Sequence, residues 1–212
     1  EHHMPTTELV LLRDFSRDSL IEFFPICTSV EYLFKYLSDL NAASILIETQ
    51  YVDRHFLDDY ADYYSRTFMV PHAHCARLHF FSHLDAATLN NTFQAAYESA
   101  AELQRQERDL NDKYLGFVVR RPLEYASVGR TVLRTYDAHL GRRNYTVVRD
   151  YDVHVAGIHL CVQGLAYQQQ DGGAAVCAST ALWSALQKVA KDEGSRTPTP
   201  TDVTHAAGSP FP

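Results

Sequence analysis

A polar stretch, Gln168-Gln169-Gln170-Asp171-Gly172-Gly173, runs into the apolar sequence Cys177-Ala-Ser-Thr-Ala-Leu-Trp-Ser-Ala-Leu-Gln187. The spacing predicts a loop followed by a helix that opens on the cysteine. A helix N-terminus carries unpaired N–H groups and about half a positive charge, which favours a thiolate over a thiol. A glutamine amide just upstream adds a second donor to the backbone N–H of the cysteine. Two donors converging on one point are what acyl transfer needs to hold a developing oxyanion. The same residues also fit a plainer role, because a free cysteine in Cys-Ala-x-x-Ala-Leu is ordinary core packing.

On these residues the chain resembles papain-like cysteine peptidases, and among them the bacterial C39-like type, whose pattern is a glutamine, a short loop and a cysteine opening the central helix. The resemblance covers Leu165 to Ala207, about a fifth of the chain. It implies Cys177 as the nucleophile, Gln170 or Gln169 as the oxyanion-stabilising side chain, and a peptide or isopeptide bond of a protein or peptide substrate as the target. The family's glutamine usually stands six residues before its cysteine, a position held here by Asp171, whereas Gln170, Gln169 and Gln168 stand seven, eight and nine before it. The Gly172-Gly173 pair can absorb the extra length. The resemblance also implies a histidine base well downstream, at the start of a strand. Only 35 residues follow Cys177, and their one histidine, His205, lies in the helical stretch Thr-Asp-Val-Thr-His-Ala-Ala-Gly. The chain therefore reads as the front part of such a domain, with the histidine segment expected beyond Pro212.

Within the chain, His154 and His159 are the candidate bases, since they precede the glutamine loop. On a single strand from Val153 to Val162 they have opposite parity and face opposite sides. The incomplete catalytic set also supports a different class, a non-catalytic interaction or regulatory protein on a degenerate peptidase scaffold.

Two other clusters compete. His72, His74, Cys75, His79 and His83 concentrate metal-capable side chains, but their spacing fits no zinc finger or hydrolase pattern, and no metal or other cofactor is expected. Residues 113–149 carry a charge balance of +6, against −10 for 1–112 and −3 for 150–212. Arg120-Arg121 and Arg142-Arg143, with Tyr125, Tyr136 and Tyr145, offer an anion or nucleic-acid surface as an alternative function. Arginines on a sheet more often pair with acidic neighbours, which the first 112 residues supply. No Gly-x-x-x-x-Gly-Lys-Ser/Thr phosphate loop is present.

The elements that must carry these residues follow from periodicity. Strands are expected over Ser44–Glu48 and Cys75–Ser82, and a first strand or an extended entry segment over Glu8–Phe15. Helices are expected over Val30–Leu40 capped by Ser29, after a cap at Asp53, and over 86–111 after a cap at Asp85. The helix after Asp53 carries a largely aromatic stripe of Phe56, Leu57, Tyr60, Tyr63, Tyr64 and Phe68. The longest helix is expected to bury Leu89, Phe93, Ala96, Tyr97, Ala100, Leu103 and Leu110. From Tyr114 the texture turns to β-branched and aromatic runs, Leu115–Val119, Thr131–Tyr136, Tyr145–Arg149 and Val153–Val162, which predict three or four antiparallel strands. The fold class is α+β, with an N-terminal strand/helix module at 5–112 and, at 113–212, a β-rich segment leading into the start of a papain-like domain.

Composition is that of a globular protein, with 46% hydrophobic and 21% charged residues. The four cysteines, Cys27, Cys75, Cys161 and Cys177, are too widely spaced for a disulfide scaffold. With no apolar run of membrane-spanning length and no N-terminal signal sequence, the expected location is the cytoplasm.

Overall fold

The computed structural model describes residues 10–136, 145–171 and 177–208. Seven strands form one antiparallel sheet in the order β1-β2-β3-β4-β5-β7-β6. The strands are β1 (Val10–Asp14), β2 (Ser44–Tyr51), β3 (Cys75–Phe81), β4 (Tyr114–Arg120), β5 (Val128–Arg134), β6 (Arg149–Val155) and β7 (Ile158–Tyr167). The helices are α1 (Arg17–Ile21), α2 (Thr28–Asp39), α3 (Arg54–Asp62), α4 (Ala86–Glu98), α5 (Ala100–Lys113), α6 (Cys177–Asp192) and α7 (Pro200–Ala206), with a 3-10 turn at Tyr64–Arg66. The architecture is α+β. The sheet runs across the boundary expected between residues 112 and 113, because β4, the first strand beyond it, pairs with β3.

Period-two alternation along the strands buries both faces. One face, carrying Leu46, Phe117, Val132, Val153 and Leu160, packs against Phe56 of α3, Tyr64 and Trp183 of α6. The other, carrying Ile45, Ile47, Leu78, Phe80 and Val128, is covered by Leu20 of α1 and Val30, Leu33 and Leu37 of α2. The sheet is curled, so the Arg77 guanidinium on β3 reaches the carbonyl of His154 on β6, although three strands lie between them.

Strand β7 outruns its neighbour β5, which pairs with it only from Gly164 to Tyr167. Helix α5 supplies the missing edge with side chains. Glu107 Oε1 accepts the His159 N–H at 2.8 Å, Asn111 Oδ1 accepts the Cys161 N–H at 2.6 Å, and Asn111 Nδ2 donates to the His159 carbonyl at 3.1 Å. An otherwise open edge is thereby closed.

Several expected boundaries change for physical reasons. The helix expected over 86–111 breaks at Ser99, which turns extended and accepts the Glu102 N–H as the cap of α5. The break rotates the buried face, and Ala96, Tyr97 and Ala100 are exposed. Asp53 and Asp85 cap α3 and α4 as expected. At α2 the cap position falls on Cys27 instead of Ser29 and makes no side-chain bond. Phe68 lies beyond the end of α3 and is fully exposed. Of the strand expected over Tyr145–Arg149 only Arg149 is extended into the sheet, as the first residue of β6.

The run Val153–Val162 is two strands, not one. Ala156 and Gly157 both adopt positive φ, 47° and 86°, and make a two-residue hairpin loop between Val155 and Ile158. That geometry is the primed turn whose twist matches the flanking strands.

Candidate functional site

Cys177 is the first residue of α6 and its side chain is exposed. The helix is held in place by three side chains further along it. Trp183 is wholly buried and donates Nε1–H to His55 Nδ1 at 2.9 Å, Ser184 Oγ donates to the Ala166 carbonyl at 2.5 Å, and Gln187 Oε1 accepts from Arg149 at 3.3 Å. Cys177 and Ser184 lie seven residues apart, hence nearly in line along the helix. The cysteine therefore stands over the end of β7, where the glutamine loop leaves the sheet.

The three glutamines separate cleanly. Gln170 is exposed, and its Oε1 accepts the Cys177 thiol at 2.9 Å. Turning that amide by 180° places Nε2 on the same spot, so one side chain can accept from a thiol and donate to a thiolate or an oxyanion. Gln169, the other candidate, is committed elsewhere. Its backbone N–H donates to Val128 O at 2.9 Å, its Oε1 accepts the Val128 N–H at 3.2 Å, and its Nε2 donates to the Tyr125 carbonyl at 3.3 Å. Gln168 is buried. Gln169 is thus a staple between the loop and the start of β5, and Gln170 is the residue beside the thiol.

The loop is anchored by a residue that the sequence offered only as half of the basic Arg120-Arg121 pair. Arg121, only 1% exposed, donates Nη2–H to the Gln169 carbonyl at 2.8 Å, Nη1–H to Asp171 Oδ2 at 3.2 Å and Nε–H to the Ala126 carbonyl at 3.0 Å. Asp171 Oδ2 also accepts the Tyr64 hydroxyl at 2.7 Å. Burial, together with the Asp171 charge, raises the pKa of that phenol and keeps it protonated. In the sequence Arg121 was visible only as part of a basic segment, and Asp171 only as the residue holding the family's glutamine position.

The candidate bases are not brought to the thiol. His154 and His159 are cross-strand partners across the Ala156-Gly157 hairpin, on the same face, with ring centroids 5.0 Å apart. His159 Nε2 lies 3.1 Å from Asp152 Oδ1. Eight residues of β7 separate His159 from Tyr167, roughly 27 Å along an extended strand, which puts both histidines at the opposite end of the sheet from the loop. Their expected opposite facing is corrected by the hairpin. His205, on α7, faces Asp62 of α3 at 3.4 Å.

The other clusters resolve into internal contacts. Cys75 and His79 share the inner face of β3. His79, fully buried, contacts the Tyr114 hydroxyl at 2.9 Å and Glu48 at 3.0 Å, and burial pulls its pKa down to about 4. Burial pushes the Cys75 thiol up to about 12. Among the described residues, no three His, Cys, Asp or Glu side chains gather in a geometry that holds a metal ion. The described arginines of the basic segment turn inward. Arg130 pairs with Asp53 at 2.8 Å, Arg120 donates to the Phe23 carbonyl at 3.1 Å, and Arg134 to the Asn111 carbonyl at 3.0 Å. Arg142 and Arg143 lie outside the described residues. On the face of β5 and β7 away from α6, a groove of about 670 Å³ opens between the sheet and α2, lined by Tyr32, Tyr36, Thr131, Leu133, Leu165 and Tyr167. Among the described residues no helix is long and apolar enough to cross a membrane.

Fold and site together define an α+β protein whose one curled antiparallel sheet presents an exposed, helix-initial thiol beside a glutamine amide. In comparisons with protein-family models, curated proteins and solved structures, nothing matches the chain.

Proposed function

We propose that Cys177 is the nucleophile of a cysteine peptidase-like hydrolase that acts on a peptide or isopeptide bond. The observation that carries this reading is the exposed thiol on the first residue of the 16-residue helix α6, with the Gln170 amide 2.9 Å away. In the proposed reaction the Cys177 sulfur adds to the substrate carbonyl carbon, and the developing oxyanion is held by the Gln170 Nε2–H and the helix-terminal N–H groups. The C–N bond then breaks, the amine leaves with the proton given up by the thiol, and water hydrolyses the thioester to a carboxylate and the free thiol.

Iodoacetamide labelling across pH tests the nucleophile without knowledge of the substrate. Cys177 in the folded protein is expected to alkylate faster below about pH 8 than the same thiol in the unfolded chain, because a thiolate is the reacting species. Equal rates in the folded and unfolded chain would remove the basis for the proposal.

One observation favours a second reading, a non-catalytic interaction or regulatory protein on a peptidase-like scaffold: His154 and His159 stand at the far end of β7 from Cys177. A peptide thioester or peptidyl vinyl sulfone distinguishes the two. Covalent capture at Cys177 belongs to the first, and inertness of an iodoacetamide-reactive Cys177 toward both acyl-type probes belongs to the second.

A further inference from the structure

The glutamine loop meets the thiol through a chain of contacts that begins in the core. Arg121 sits at the end of β4, where its fork reaches three separate acceptors: the carbonyls of Ala126 and Gln169 and the carboxylate of Asp171. Its backbone N–H also donates to the Ser127 carbonyl at 2.8 Å. The two loop acceptors are the residues immediately before and after Gln170. A planar guanidinium suits such a task, because its five donors are fixed in one plane and hold several acceptors in a set relation. Space for it comes from Gly129, where a Cβ would lie 2.8 Å from Arg121 Cγ and 3.0 Å from the Val119 carbonyl. The Tyr64 hydroxyl fixes Asp171 Oδ2 from a second direction. Gln170 itself is exposed, so the geometry of its contact with Cys177 is set by its two neighbours and not by packing around its own side chain.

We propose that Arg121 is the positioning residue for Gln170. By gripping Gln169 and Asp171 on either side, it holds the Gln170 amide at the Cys177 sulfur and so sets the reactivity of that thiol. Asp171, backed by Tyr64, is the counter-charge that keeps Arg121 aimed at the loop. This inference rests on the reading of Cys177 as a nucleophile. It adds to that reading a buried ionic clamp that preorganises the amide donor.

The test follows alkylation of Cys177 by iodoacetamide between about pH 5 and 9, where thiolate formation controls the rate, with peptide mapping to separate it from the other three cysteines. The proteins are the wild type, Gln170→Ala, Arg121→Lys, Asp171→Asn, Tyr64→Phe and the double variant Arg121→Lys/Gln170→Ala. Gln170→Ala is expected to slow the reaction near neutral pH by about ten-fold, the effect of losing one amide hydrogen bond to the reacting sulfur. Arg121→Lys keeps the charge but loses the fork, and is expected to slow it by roughly three- to ten-fold. Asp171→Asn and Tyr64→Phe, which delete a charge and a hydroxyl from the clamp, move the rate in the same direction by less. If Arg121 acts through Gln170, the double variant is no slower than Gln170→Ala alone, a non-additivity that a general loss of stability does not produce. Multiplying effects in the double variant would overturn the proposal, as would unchanged rates in folded Asp171→Asn and Tyr64→Phe. A wild-type Cys177 that reacts no faster than in the unfolded chain overturns instead the nucleophile reading on which the clamp depends.

Discussion

The cysteines differ in their surroundings, and the differences set an order of reactivity. Cys75 is 2% exposed, and burial next to Asp53 raises its thiol strongly. Cys161 is raised by its surroundings and by the Asp152 and Asp150 carboxylates opposite it. Cys177 is the exposed one, at a helix start. Limiting alkylation of the native protein near neutral pH is expected to mark Cys177 first, and Cys75 only after denaturant is added. Mapping the modified peptides over time checks this, and early labelling of Cys75 would contradict the burial argument. Gln169 belongs to a different kind of prediction. Gln169→Ala leaves the Val128 N–H without its side-chain acceptor, at an expected cost of about 1–2 kcal/mol in denaturant unfolding. The cysteine and the glutamine loop were legible as residue types. Which glutamine faces the sulfur was not, because that is decided by the last ladder bond at Gln169 and by Arg121, and both partners are distant in sequence.

At the level of elements, most strands and caps were readable from alternation and from Asp53 and Asp85, while two breaks were hidden. Ser99 interrupts a helical periodicity that continues on either side of it. Ala156-Gly157 lacks the Asn-Gly or Asp-Gly signature of a primed turn, so Val153–Val162 reads as one run. Here lies a specific weakness. Ala156 holds φ at 47°, a left-handed conformation that suits asparagine or glycine better than a residue with an apolar Cβ. Ala156→Asn converts the loop into Asn-Gly and is expected to stabilise the protein by about 0.5–1 kcal/mol. A raised midpoint in urea with an unchanged slope is the expected result. A lowered midpoint would mean that the hairpin draws its stability from contacts of Ala156 instead. The same turn puts His154 beside His159, a pairing that strand parity alone assigned to opposite faces.

For the molecule as a whole, the α+β class followed from the alternation of periods, but the single sheet did not. Residues 113–149 look like a new segment by charge and texture, and the pairing of β3 with β4 is made across the 32 residues of the intervening α4–α5 excursion. Arg120, Arg130 and Arg134 of that segment are drawn to acidic and carbonyl partners that precede it in the chain. The interior holds ionisable side chains, and they give stability a pH dependence of definite sign. His55 and His79 are both buried, and burial depresses each to about 4 from an ordinary value of 6.5. Between those values the unfolded chain binds their protons and the folded chain does not, so each favours unfolding as pH falls from 6.5 toward 4. Asp59 acts the other way. It is wholly buried in α3, accepts the Thr201 hydroxyl of α7 at 2.6 Å, and burial pushes it up to about 7 from 3.8. Over that range its proton is bound by the folded chain, so acidification strengthens its contribution and rising pH through about 7 removes it. Two groups against one leave a net uptake of about one proton on unfolding. Stability should then fall by about 1.4 kcal/mol per pH unit on going from roughly pH 6 to 4.5. Asp59→Asn deletes the opposing group and should double that slope to about 2.7 kcal/mol per unit while removing the fall in stability as pH rises from about 6.5 to 7. Urea titrations of the two proteins at half-unit pH steps measure both slopes. A variant slope equal to or shallower than that of the wild type would mean that Asp59 is ionised inside the fold, and that the Thr201 contact joins α7 to a charged carboxylate.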